Sequence, residues 1–264
     1  MSNTNASSAS PRTVRAGRWL LLAALIALWQ WSHLKLGNHT IAAPLQTVER
    51  VWQLTASGEL WTHIEATARV SFIGLVLGWI AAVIVSFALY RSERLAAALE
   101  PYLLASMGIP KFALAPLLIL WFGIGAAPKV VVVSLMVFYV VFVTALSGLR
   151  AVDMRLFAMS QLVGASRWRV TREVLLPSIV PYMLSGLKIA IPRAISATVV
   201  GEFLVADSGL GFYIEQSRQT ADTVGVYAGL VIVTVLVLCS DALLGLLERR
   251  LLAWRPGASL HGGH

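Results

Sequence analysis

Ala158-Met159-Ser160-Gln161-Leu162-Val163-Gly164, then Ala165-Ser166-Arg167-Trp168-Arg169-Val170-Thr171-Arg172-Glu173, then Val174-Leu175-Leu176-Pro177, form a basic, polar stretch between two long apolar runs. Val152, Leu156, Met159 and Val163 recur at i, i+4, i+7 and i+11, one face of a helix. Gly164 suits the left-handed position that ends such a helix, and Ser166 is a good N-cap for the next. Helix, glycine turn and second basic helix make a compact knob that reads as a docking surface. The alternative on physical grounds alone is an interfacial hairpin fixed to anionic lipid by its arginines.

The runs on either side set the fold class. Val130–Leu149 carries no charge, nor does Val70–Tyr90, and Val224–Leu247 holds only Asp241. Each is long enough for the ~20 apolar residues that a membrane-crossing helix needs. Arg18–Leu36 is a shorter run edged with tryptophan. Leu99–Gly125 is interrupted by Pro101, Pro110 and Pro116, and Val174–Val205 carries Lys188, Arg193 and Glu202 with Pro181 and Pro192. The expectation is an all-α integral membrane protein of six spans. Composition agrees, since 58% of the 264 residues are hydrophobic and only 13% are charged, against about a quarter in soluble domains.

The net charge of +8 lies in segments that flank the runs, a pattern of membrane orientation rather than nucleic-acid binding. With the N-terminus inside, thirteen Lys/Arg fall in inside segments and four (Lys35, Arg50, Lys129 and Arg218) in outside ones. Both termini and the 150–173 loop are therefore expected in the cytoplasm. Residues 1–17 read as a disordered tail, 18–62 as the first span with an outer interfacial helix beginning at Pro44, 63–248 as a core of five spans, and 249–264 as a second tail. A single cysteine, Cys239, excludes an internal disulfide. The five histidines lie away from span centres, so no metal or haem site is expected.

The loop resembles the signature of binding-protein-dependent ABC importer permeases, which reads Glu-Ala-Ala, three residues, Gly, nine residues, Ile-x-Leu-Pro. Gly164, Val174, Leu176 and Pro177 keep that spacing, while Ala158-Met159-Ser160 replaces Glu-Ala-Ala, so the acid is absent. Gly58-Glu59-Leu60-Trp61, the run Leu117 to Gly125, and Gly201-Glu202-Phe203 with Gly209-Leu210-Gly211 are similar to the nitrate/sulfonate/taurine branch, whose relatives also carry aminopyrimidine and other vitamin precursors. The resemblance implies a type I importer permease fold in the bacterial inner membrane. It implies a second permease copy, a cytoplasmic ABC ATPase dimer that binds ATP and Mg, and a periplasmic or lipoprotein solute-binding protein. Ala158, Met159, Ser160, Gly164, Ala165, Arg167, Val174, Leu176 and Pro177 would form the ATPase-coupling loop. The chain has no Gly-x-x-x-x-Gly-Lys-Ser/Thr, so it holds no nucleotide site of that kind and is expected to be a transport subunit rather than an enzyme.

Ionisable residues within a span are candidates for function. Lys188, Arg193 and Glu202 are the candidates for a pathway that attracts a small anion. Against this, Lys188 has a bland reading as snorkelling to the cytoplasm, Arg193 as packed on a neighbour, and Glu202 as lying at the outer mouth. Asp241 has Arg249 and Arg250 as possible partners. A stand-alone secondary transporter or channel is the competing class; it usually shows inverted repeats, and these spans show none.

Overall fold

The computed structural model describes residues 11–251 apart from 154, 156–158, 161, 163 and 205. Among them there are helices and turns and no strand. The helices are α1 (Pro11–Leu36), α2 (Pro44–Ser57), α3 (Glu59–Arg91), α4 (Glu93–Ser106), α5 (Ala115–Phe122), α6 (Ala126–Arg150), α7 (Arg167–Val170), α8 (Leu176–Leu204), α9 (Leu210–Gln219) and α10 (Thr223–Leu251). A 3₁₀ turn, Lys111–Leu114, precedes α5, and a π turn, Thr171–Leu175, joins α7 to α8. Five helices are long and apolar enough to cross a membrane, and the α4–α5 pair, bent by 89°, makes a sixth if taken as one broken span.

That break occurs at one proline of the three. Pro101 is accommodated inside α4, and Pro116 sits in the first turn of α5, where its missing N–H costs nothing. Pro110 lies at the break, where it withholds a donor and disfavours helix in the residue before it. Lys111 covers the freed end of α4: its Nζ donates to Ser106 O at 2.9 Å and Met107 O at 2.6 Å, 4.4 Å from the Tyr139 ring centroid.

In an apolar solvent the hydrophobic effect does not drive helix association, so close approach through small residues does. Gly74 and Gly78, one turn apart on α3, lie against Val133 and the Ser134 carbonyl of α6. Gly148 of α6 meets the Tyr182 side chain of α8, and Gly186 of α8 meets Thr144 of α6. The core is thus an α3–α6–α8 sandwich filled by Ala82, Val137, Val141, Phe142, Ala190 and Ala194. Polar threads cross it: Ser71 Oγ donates to Thr198 Oγ1 at 2.8 Å and Ser86 Oγ to Phe142 O at 3.2 Å. Such bonds between membrane helices average ~0.6 kcal/mol each.

A helix is present in the segment from Pro44. α2 starts at Pro44 and stops at Gly58, whose φ of 82° is left-handed. It buries Thr47 and Leu54 and exposes Leu45, Val48 and Trp52. α1 differs from expectation, because the helix begins at Pro11, inside the segment read as tail. Proline is favoured in a first helical turn, and nothing between it and Trp19 stops a helix. None of the apolar window of α1 is buried. Trp29 ties it down, donating to Ala42 O at 2.9 Å and stacking on Tyr227 with ring centroids 5.7 Å apart.

Candidate coupling loop and translocation face

The 150–173 loop leaves α6 through a tight corner. Ala151 and Val152 form a turn, and Asp153 Oδ1 accepts from Arg155 N at 2.8 Å. The predicted single apolar face is split by that corner. Val152 is buried with Leu149, Leu175 and Ile179, whereas Met159 is 64% exposed. Leu156 and Val163, along with Ala158 of the candidate site, lie outside the described residues. Met159, Ser160 and Leu162 are helical.

Gly164 has φ of 68°, and Ala165 N donates to Ser160 O at 3.0 Å, a closing bond of the glycine-terminated type. Ser166 then caps α7, its Oγ accepting from Arg169 N at 3.3 Å. Leu162 and Trp168, 88% and 70% exposed, are, like Met159, exposed apolar side chains on a basic loop. Val174 lies in the π turn, where Leu176 N donates to Thr171 O, five residues back. Pro177 has no N–H to restore the regular ladder, so the chain enters α8 with one residue of slack. A cleft of about 280 Å³ lies behind this entry, lined by Gly148, Val152, Asp153, Pro177, Pro181 and Tyr182.

The three ionisable candidates of α8 do not come together. Lys188 is half exposed and lies 3.7 Å from Glu248 of α10. Arg193 is exposed on a stripe with Tyr182, Ser185, Ile189 and Ser196, and makes no ion pair among the described residues. At 1.5 Å per residue it is about 26 Å from the start of α8 and about 16 Å from its end, well inside the span. Glu202 is 2% exposed, enclosed where α9 folds back over the end of α8. Thr67 Oγ1 lies 3.0 Å from both its carboxylate oxygens, and Gly211 N donates to Oε2 at 2.8 Å. Thr67 drew no notice in the sequence, and His63, its neighbour at this end, entered only as one of the five histidines away from span centres. Their spacing of four on α3 puts them on one face, the only signal available. Asp241 is exposed and pairs with neither Arg249 nor Arg250; Glu248 is the acid of α10 that meets a cation.

The described residues hold no group of three or more His, Cys, Asp or Glu placed to bind a metal ion. An organised loop, a broken span and a basic residue on an open helix face suit transport rather than chemistry. The family described as binding-protein-dependent transport system inner membrane component matches residues 74–253. This chain belongs to that family. It is an all-α, multi-pass permease of the ABC importer class.

The chain is 33% identical over 237 residues to the formylaminopyrimidine transport permease of Halalkalibacterium halodurans, covering 89% of this chain and 94% of that one. It is 32% identical over 238 residues to the putative aliphatic sulfonates transport permease of Bacillus subtilis, covering 89% and 86%. The taurine transport system permease of Escherichia coli is 29% identical over 243 residues, with 88% and 87% covered. The fold is shared with a chain of the MetNI methionine ABC transporter, TM-score 0.64 at 20% identity, over 73% of this chain and 95% of that one.

Proposed function

We propose that the permease forms, with a second copy of itself, the pathway by which a small anionic solute enters the cell. A separate solute-binding protein delivers the solute, and a cytoplasmic ATPase dimer using ATP and Mg supplies the energy through the 158–177 loop. Arg193 carries the anionic reading. An arginine inside a span costs about 2.5–3.5 kcal/mol on insertion scales, so its exposed face belongs against water or a second subunit rather than lipid. Tyr182, Ser185 and Ser196 on the same stripe make that face polar. The sulfonate and taurine permeases among the relatives agree with a cargo that carries an anionic sulfonate group, whether net-anionic or zwitterionic, while the formylaminopyrimidine permease keeps a heterocyclic precursor in contention. The Lys188–Glu248 pair belongs to the loop end of this pathway, its charge already matched.

The test is uptake into proteoliposomes holding the permease with the ATPase and solute-binding protein encoded beside it. Labelled taurine, an alkanesulfonate, nitrate and an aminopyrimidine are offered in parallel. Uptake of one anion, lowered roughly tenfold or more by Arg193→Ala without loss of assembly, is the expected result; tenfold corresponds to ~1.4 kcal/mol. Unchanged anion uptake by that variant would return Arg193 to a structural role.

A further inference from the structure

At the end of the bundle away from the 150–173 loop, the amide of the N-cap Gly209 and the first two amides of α9 are each taken by a side chain of another helix. Gly209 N donates to His63 Nδ1 at 3.2 Å and Leu210 N to Thr67 Oγ1 at 2.8 Å, both on α3. Gly211 N donates to Glu202 Oε2 of α8 at 2.8 Å. The Thr67 hydroxyl closes the ring by bonding the Glu202 carboxylate. From α6, Lys129, 8% exposed, packs its side-chain methylenes across Gly201 next to this site without forming an ion pair with Glu202.

A ten-residue helix would normally be held by its apolar side and capped by its own residues. Here Gly209 makes no side-chain cap, and its φ of 115° is one that side-chain-bearing residues rarely adopt. A Cβ on Gly211 would meet the Val199 carbonyl and the Glu202 side chain. The backbone is thus brought down onto the carboxylate, and the four unbonded N–H groups of a helix start are what a buried anion needs. Hydrogen bonds from α3 and α9 thus converge on one carboxylate of α8. α9 is thereby fixed to α8 and α3, while its outer residues Gln216, Arg218 and Gln219 remain exposed.

We propose that Glu202 and Thr67 are positioning residues of a latch that makes α9 one rigid body with α3 and α8, so that a solute-binding protein pressing on α9 moves the spans that line the pathway. The relay rests on the importer reading above; the latch itself does not. Its test uses the full permease in nanodiscs, with Cys239→Ser and spin labels at exposed Gln216 of α9 and Phe72 of α3. The unaltered latch gives a narrow distance distribution, Thr67→Val and Glu202→Gln broaden it, and Thr67→Ser, which keeps the hydroxyl, restores it. Narrow distributions in both Thr67→Val and Glu202→Gln overturn the latch.

The relay is read in the complex with the ATPase and solute-binding protein encoded beside the permease. Thr67→Val leaves basal ATP hydrolysis unchanged and lowers its stimulation by the solute-binding protein at least about fivefold, the lower end of ordinary coupling between sites. Full stimulation in a variant whose distances have broadened overturns the relay, as does equal loss of basal and stimulated rates. If the unaltered complex shows no stimulation, the importer reading fails and takes the relay with it, while the distance widths still decide the latch.

Discussion

Gly164 shows how much one residue's backbone can decide. A Cβ there would meet nothing within 4 Å, so the glycine is not required for space. It is required for φ of 68°, a conformation that costs most other residues about 1–2 kcal/mol. Asparagine visits it at least cost, alanine pays the ordinary penalty, and a β-branched valine pays most. We therefore expect Gly164→Asn, Gly164→Ala and Gly164→Val to insert equally well but to recover the ATPase on co-purification in that descending order. Equal recovery of the ATPase by all three would remove the turn from the contact. The absent acid at position 158 gives this order added weight, since on the proposed coupling role the shape of the turn and the exposed Leu162 and Trp168 would be the features left to recognise a partner.

Between elements, the decisive contacts are those where a glycine lets two helices approach. Gly186 lies against the Thr144 hydroxyl, so Gly186→Ala overpacks the α6–α8 seam, and such insertions cost typically 1–3 kcal/mol. Thr144→Ala removes the obstructing atoms. The double variant should therefore recover most of the thermal stability that Gly186→Ala loses in detergent, and additive losses would show that the seam relaxes elsewhere. Such seams explain what the sequence could and could not reveal. The spans were legible because an apolar run excludes charge along its whole length, and α2 was legible because Pro44 and Gly58 punctuate both ends. The break after α4 was legible as a proline effect, but choosing Pro110 over Pro101 and Pro116 required the helix register. Glu202 was not legible as a latch. Its surroundings depend on Thr67, 135 residues away, and on α9 folding back over α8. No local pattern carries that information.

For the whole molecule, the question is which way it stands in the membrane, because the loop can meet an ATPase only from the cytoplasm. The Lys/Arg excess of thirteen over four favours the 150–173 loop inside, and on the proposed importer reading the α9 end would then face the solute-binding protein. The two ends also differ in kind. Both ends carry ion pairs, Arg150–Glu100 at 2.6 Å and Arg169–Glu173 at 3.2 Å at the loop end and Arg50–Asp222 at 2.9 Å and Arg218–Glu215 at 2.6 Å at the α9 end, but the loop end adds exposed Met159, Leu162 and Trp168. Because Cys239 is the sole cysteine, Cys239→Ser yields a background in which single cysteines report sidedness without ambiguity. Leu162→Cys and Gln216→Cys occupy exposed positions at opposite ends. In intact cells a membrane-impermeant maleimide should label Gln216→Cys and leave Leu162→Cys unlabelled until the membrane is opened. The reverse pattern would invert the permease, place its coupling loop beyond the reach of ATP, and end the importer reading whatever the family resemblance. Labelling of both in intact cells would mean mixed insertion, which an excess of nine positive charges on one side argues against.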